Sequence, residues 1–328
     1  MNIKHVISVE QFLDKNILAD LFDTASFLEH KDSHNSLKRI LSGKLLASLF
    51  YEPSTRTRFS FEAAMQKLGG NTISTENATQ FSSVTKGESI QDTIRIISQY
   101  ADVIVLRHFE EGSALKAAEV SSVPIINAGD GIGEHPTQAF LDLFTIQKEL
   151  GSLNNIKIAL VGDLLYGRTI HSLIKLLSIY PQTQIHFVSP EQLRIPQKYK
   201  QFLENKNISF EETNNLDSVL EKINVLYVTR IQKERFADIE LYNSIKNSFE
   251  ISLPTLDKLA DNAVIMHPLP RVKEISPEID LDRRAAYFRQ ARNGLYIRMA
   301  LLQKLLYEPT RFAQQETLET QKPELEME

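Results

Sequence analysis

Short, uninterrupted apolar runs alternating with helical patterns leave this chain few folds to choose from. Runs at 45–50, 103–106, 124–126, 156–161, 184–188, 225–228 and 263–266 are too short for helices and read as strands buried on both faces. Between them lie segments of helical period, such as Phe61, Ala64, Met65 and Leu68, which Gly69-Gly70 brings to a stop. Strands separated by helices form parallel sheets with helices on both faces. At 328 residues the chain has room for about two domains of ~150 residues each. The expected fold class is therefore α/β: two doubly wound domains with parallel sheets, joined by bridging helices. The first would cover 1–135 and the second 136–291, the helix 136–150 marking the join. The last long helix, about 281–307, would run back, its 292–308 portion completing the first domain. Residues 1–40 read as helical, with Phe12, Ile17, Leu18, Leu21, Phe22 and Phe27 as the apolar stripe. Residues 71–87 are polar, rich in Ser and Thr and without apolar period, so they read as one long loop. Residues 309–328, acidic and with little to bury, read as a mobile tail.

The first strand runs into Phe50-Tyr51-Glu52-Pro53-Ser54-Thr55-Arg56-Thr57-Arg58. Ser54 stands where an N-cap belongs, and Thr55, Arg56 and Thr57 fill the first helical turn. Backbone N–H groups without partners and the positive end of the helix dipole already occupy that place. Carboxylates belong there, yet the sequence supplies guanidinium groups and hydroxyls. An anion resolves the conflict, and a phosphate fits best; capping alone requires neither both arginines nor the run of hydroxyls.

Ligands of open parallel sheets bind beyond the carboxyl ends of the strands. Arg107 follows the strand 103–106, Arg230 lies two residues beyond 225–228, and Arg168 sits in the turn after 156–161. His267 follows 263–266 and opens His267-Pro268-Leu269-Pro270-Arg271. A single strand-end arginine is ordinarily a surface ion pair, but three beside an Arg-rich helix start indicate convergence on anions. Arg56, Arg107 and His135 fall in the first half, Arg168, Arg230 and Gln232 in the second. A cleft between the domains with one anionic substrate on each wall follows.

The turn after 156–161 holds only Gly162 and Gly167, so the glycine pattern of a dinucleotide site is missing, as are a Walker lysine motif and His-Glu-x-x-His. Cysteine is absent, which excludes disulfides, thiol catalysis and thiolate metal ligands. Eight scattered histidines do not suggest a metal site, and no cofactor is expected. The net charge of −5 does not indicate a nucleic-acid partner. No apolar run approaches the ~20 residues of a membrane span, and residues 1–12 lack a signal-peptide core, so a cytoplasmic protein without membrane contact is expected.

Taken together, Ser54-Thr55-Arg56-Thr57-Arg58, His135-Pro136-Thr137-Gln138 and His267-Pro268-Leu269-Pro270 resemble the carbamoyltransferases. Gly167-Arg168-Thr169 and Arg230-Ile231-Gln232-Lys233-Glu234-Arg235 are similar to the aspartate-using branch. The likeness runs in order to about Tyr307, leaving 189–222 without a matched motif. The ornithine-using branch typically has a cysteine in the His-x-Leu-Pro segment, where Pro268 stands here. Arginines also suit the two carboxylates of aspartate and would repel a cationic ornithine.

The resemblance implies transfer of the carbamoyl group of carbamoyl phosphate to the amino group of L-aspartate, an early step of pyrimidine (UMP) synthesis. Ser54, Thr55, Arg56 and Thr57 would hold the phosphate. Arg107 would bridge phosphate and carbonyl oxygen, and Thr57, Arg107 and His135 would stabilise the oxyanion. Gln138 and the carbonyls near Pro268 and Leu269 would hold the carbamoyl amide, and Arg168, Arg230 and Gln232 the aspartate carboxylates. Glu52, Arg168 and Arg235 match residues that lock the closed cleft, and Arg298 matches a position linked to the phosphate site. The family implies a homotrimer with shared active sites, in which a neighbour donates a polar loop; Ser82 and Lys86 occupy its functional places. Transfer to an ornithine-type amine and a non-catalytic homologue acting as a binding subunit stay open, as does a regulatory chain or another pyrimidine enzyme as partner.

Overall fold

The structure, a computed structural model, describes residues 3–76, 87–232, 236, 238–246 and 248–307, with the backbone alone at Glu76, Ile239 and Leu241. Ser82, Lys86, Arg235 and the tail 309–328 lie outside the described residues.

Among the described residues the first sheet contains β1 (Leu45–Phe50), β2 (Asn71–Glu76), β3 (Val103–His108) and β4 (Ile125–Asp130) in the order β2-β1-β3-β4. The second contains β5 (Lys157–Val161), β6 (Gln184–Val188), β7 (Ser209–Thr213), β8 (Val225–Val228) and β9 (Val264–Met266) in the order β7-β6-β5-β8-β9. Every named pairing is parallel, as alternation with helices requires.

Both sheets have an edge strand that the apolar pattern did not show. Asn71–Glu76, expected as the start of a loop, is a strand paired in register along β1, with Leu45 opposite Asn71. Ser209–Thr213 pairs likewise along β6 in the segment without a matched motif. Edge strands are covered less than central ones, so Asn-Thr-Ile-Ser-Thr-Glu and Ser-Phe-Glu-Glu-Thr can be largely polar and still complete a ladder. Two other boundaries differ. The segment 1–40 is not one helix: Val6 bridges to Ile126, a short 3₁₀ turn covers Val9–Phe12, and α1 spans Lys15–Ser33. The last helix starts at Tyr287 rather than near 281, because Pro277–Leu281 closes as a separate 3₁₀ turn.

Further helices are α2 (Thr55–Lys67), α3 (Ile90–Ile97), α4 (Ser113–Val120), α5 (Pro136–Leu150) and α6 (Arg168–Leu177). α7 (Gln197–Asn205), α8 (Ile239–Ile245), α9 (Leu253–Lys258) and α10 (Tyr287–Leu306) follow. α10 packs against α1, α2 and α5, and α5 packs in turn against α6, so these helices tie the two sheets together. Residues 139–146 of α5 are all buried, on every side of the helix. Phe12 meets Phe140 at 4.4 Å between ring centroids and Phe22 meets Phe144 at 5.4 Å, anchoring the N-terminal segment to the same helix. At the rim Lys175 of α6 holds Glu134 at 2.6 Å and Glu10 at 2.8 Å.

Candidate active site

Strand order reverses between β1 and β3 in the first sheet and between β5 and β8 in the second. A crevice opens beyond the strand ends at such a switch point. Here the two crevices face one another and form a cavity of about 760 Å³. From the first sheet it receives Glu52 to Thr57 after β1 and Arg107 of β3; from the second, Gly167 to Thr169 after β5 and Thr229, Arg230 and Gln232 after β8. His135 and Gln138 of α5, residues 267–270 after β9, and Tyr287, Gln290 and Arg298 of α10 complete the lining.

Three helices, α2, α5 and α6, begin at this cavity, and none has an acidic residue in its first turn. Ser54 does occupy the N-cap position of α2, but its side chain makes no capping hydrogen bond, and His135 at the start of α5 makes none either. Polar side chains and helix N-termini are thus directed to one space that suits anions. Charge follows the same plan. Burial lowers the Arg56 pKa, with the nearby Arg230 guanidinium adding repulsion. Burial likewise lowers Arg298 to about 10, with Asp142 opposing. Its Nη1 donates to Ser60 Oγ at 2.9 Å.

Arg107 lies inside β3 rather than after it, since the ladder continues to His108. Its Nη1 donates to Ala128 O at 3.2 Å, and its Nη2 stands 3.3 Å from Glu52 Oε2. From the other domain Arg168, the first residue of α6, places Nη2 3.4 Å from the same carboxylate oxygen and donates through Nη1 to Gly131 O. Both guanidinium groups pass close over Gly129 (φ +115°), where a Cβ would lie 3.1 Å from Arg107 Nη1 and 3.2 Å from Arg168 Cζ. Gly129 therefore permits a backbone shape and a close approach that other residues would strain. The expected Glu52–Arg168 contact is present; Arg235, expected beside it, lies outside the described residues.

His135 is buried, and its pKa falls well below the ordinary histidine value through burial first, then the charges of Arg168, Arg107 and Arg298. Its ring is neutral at pH 7. Its Nδ1 has no hydrogen-bond partner among the described residues, while its backbone N–H donates to Ser172 Oγ at 3.2 Å. Gln138, one turn on, donates through Nε2 to Asp142 Oδ1 at 2.8 Å. Gln232 Nε2 lies 3.5 Å from Asp163 Oδ2, whose carboxyl burial raises.

The turn after β9 is held by His267. Its Nε2 pairs with Glu274 at 2.8 Å, its Nδ1 accepts the Leu269 N–H at 2.7 Å, and its backbone N–H donates to Gln290 Oε1 at 2.9 Å. Leu269 has φ +56° and precedes a cis Leu269–Pro270 bond, and Pro268 and Leu269 both line the cavity. The structure thus assembles Glu52, Ser54, Thr55, Arg56, Thr57, Arg107, His135, Gln138, Arg168, Arg230, Gln232, Pro268, Leu269 and Arg298 around one space. Asp142 and Gln290 were not legible as site residues. Asp142 had one signal, a charged residue inside an apolar helical stretch, and Gln290, between Arg289 and Ala291, had none.

Facing switch points with guanidinium groups on both walls define a two-domain α/β protein that binds small anions in the cleft between its domains. The family model for the carbamoyl-phosphate-binding domain of aspartate and ornithine carbamoyltransferases matches residues 4–148, and the model for their aspartate- or ornithine-binding domain matches 154–305. The chain belongs to the aspartate/ornithine carbamoyltransferase family. It is 50% identical over 312 residues to the chloroplastic aspartate carbamoyltransferase of Oryza sativa subsp. japonica, covering 93% of this chain and 86% of that protein. Among solved structures, the catalytic subunit of M. jannaschii aspartate transcarbamoylase superposes with a TM-score of 0.87 at 49% identity, over 94% of this chain and 99% of that one. Aspartate transcarbamoylase from Trypanosoma cruzi in complex with carbamoyl phosphate and aspartate gives 0.88 at 41% identity, over 92% of this chain and 97% of that one.

Proposed function

We infer that this chain transfers the carbamoyl group of carbamoyl phosphate to the amino group of L-aspartate, giving N-carbamoyl-L-aspartate and phosphate for pyrimidine biosynthesis. The observation that carries the reading is the pairing of Arg107 and Arg168, one from each domain, over Gly129 and on either side of Glu52. The 1–135 region, completed by the C-terminal helix, would hold carbamoyl phosphate, and 136–291 would hold aspartate. The phosphate sits at the α2 N-terminus against Ser54, Thr55, Arg56 and Thr57; the aspartate carboxylates meet Arg168, Arg230 and Gln232. Attack by the neutral amine forms the C–N bond and places negative charge on the carbonyl oxygen. Thr57, Arg107 and the one N–H of neutral His135 are the donors for that charge. The C–O bond to phosphate then breaks, and the departing phosphate takes the amine proton. Orientation and fixed electrostatics supply the rate, without a side-chain base.

The aspartate reading is favoured over an ornithine-type amine by the guanidinium groups of Arg168 and Arg230 on the second wall. The trimer with shared sites, to which Ser82 and Lys86 of a neighbour would contribute, belongs to the same proposal, as do a cytoplasmic location and association with a regulatory chain or another pyrimidine enzyme. Purified protein, assayed with carbamoyl phosphate and a panel of amines, should release phosphate only with L-aspartate. Dependence on ornithine, or no turnover with any amine, would refute the reading.

A further inference from the structure

We infer that Asp142 is a positioning residue that sets which end of the Gln138 amide faces the reacting carbamoyl group. The inference rests on the proposed transfer reaction. Asp142 lies in the middle of α5, fully buried, and does not line the cavity. Its Oδ1 accepts from Gln138 Nε2 at 2.8 Å and from Gln290 Nε2 at 2.6 Å, and its Oδ2 accepts from the Tyr227 hydroxyl at 2.7 Å. An ionised carboxylate can only accept. Both glutamines must therefore turn their NH₂ groups toward it and their carbonyl oxygens away. For Gln290 the consequence is visible: its Oε1 receives the His267 backbone N–H at the head of the turn carrying Pro268 and Leu269. For Gln138, whose side chain lines the cavity, the same constraint leaves Oε1 for the substrate side.

This polarity matters because the carbamoyl group has an NH₂ where a simple acyl group has a methyl. That NH₂ offers two donors and needs acceptors. A Gln138 amide turned the other way would aim its own NH₂ at the substrate's, leaving two donors face to face. One carboxylate thus sets two contacts to the substrate's amide side: Gln138 directly, and the 268–269 carbonyls through Gln290 and His267. Asp142 confers recognition of the amide; toward the phosphate it makes no hydrogen bond to Ser54, Thr55, Arg56 or Thr57, its one link being the charge it sets against Arg298.

Acetyl phosphate separates these roles, since it keeps the phosphate and carbonyl and replaces the NH₂ by a methyl. The test compares kcat/KM for carbamoyl phosphate with the inhibition constant of acetyl phosphate, on the alkaline side of neutrality. Asp142→Leu keeps the side-chain shape and removes both acceptor oxygens. It should lower kcat/KM for carbamoyl phosphate by about 10- to 100-fold while the acetyl phosphate constant stays within about twofold. Tyr227→Phe, which leaves the carboxylate and both glutamine bonds, should preserve the ratio. If Asp142→Leu does not fold, Asp142→Ala serves for the same comparison. Weakening of both ligands by the same factor, or of neither, would overturn the inference. Failure of the wild type to turn over carbamoyl phosphate with aspartate would instead refute the parent reading.

Discussion

Glu52, on the loop after β1, reaches Arg168 of the second domain at 3.4 Å and Arg107 of the first at 3.3 Å. One carboxylate oxygen therefore holds two cations from opposite walls, and the approach of the domains depends on it. Glu52→Gln removes the charge and keeps the shape. It should raise KM for aspartate about tenfold, because Arg168 loses the partner that holds it across the cleft. Affinity for carbamoyl phosphate should not fall, since the variant removes a negative charge beside the phosphate site. Initial-rate kinetics and calorimetric titration check the two halves; weakened carbamoyl phosphate binding would contradict the assignment.

The donors around the carbonyl oxygen predict a different signature. Arg107→Ala and His135→Ala should each lower kcat by ~10²–10³-fold with the fold intact. Burial and three arginine charges hold the His135 pKa well below 6.5. The ring thus remains neutral as pH rises through that value, and kcat should show no limb from its ionisation near neutrality. A histidine titrating near pH 6.5–7, followed by ring nitrogen NMR and assigned by the alanine variant, would contradict this electrostatic account.

Burial and then the nearby Arg230 guanidinium lower the pKa of Arg56, yet the two arginines start from different sheets. Arg56→Ala should raise KM for carbamoyl phosphate, and Arg230→Ala KM for aspartate, each by at least about tenfold. Steady-state kinetics with one substrate saturating distinguishes the two. Loss of the same substrate's affinity in both variants would mean that the walls are wrongly assigned.

The central strands and the helix starts could be read from the sequence because both are strongly patterned. β1, β3, β5 and β8 are apolar runs, and the anion-binding turns break a local rule by placing arginine where carboxylates belong. Asn71–Glu76 and Ser209–Thr213 were missed because an edge strand needs no apolar run to pair. Arg107 was placed one step too far along, since a strand's last residues can be polar once they face a cleft. Asp142 was missed for the opposite reason: in the stretch Ala139-Phe140-Leu141-Asp142-Leu143-Phe144 nothing local reveals that its partners come from β8 and α10. Gly129 was legible as a glycine but not as the floor beneath two guanidinium groups, a property only the folded chain has.

The proposed sharing of sites gives a prediction that needs no structure of the assembly. Lys86→Ala and Arg168→Ala chains should each be inactive. When they are dissociated, mixed and reassembled, activity should return, because some interfaces then combine an intact Lys86 from one chain with an intact Arg168 from another. Reassembly without recovery of activity would show that each site draws on one chain only.

Acid stability tests the buried groups apart from catalysis. His171 of α6 stacks on Tyr199 at 4.2 Å and pairs through Nε2 with Leu164 O at 2.8 Å, and burial lowers its pKa to about 4. Its unfolded value is about 6.5. Below that pH the unfolded chain takes up a proton that the folded chain refuses, so stability is lost as pH falls from 6.5 toward 4. The full span corresponds to about 3 kcal/mol. Asp142 acts in the opposite sense. Burial raises it from 3.8 to about 7, so the folded chain holds a proton that the unfolded chain has released, and stability is gained as pH falls through 7. The two residues therefore offset one another in the wild type between pH 4 and 6.5. His171→Gln, whose amide can keep the bond to Leu164 O, should make the folded chain lose less stability, or even gain it, over that range. Asp142→Leu should make the loss steeper. Urea unfolding at a series of pH values measures both, and parallel pH profiles for the wild type and the two variants would show that neither group titrates as its burial requires.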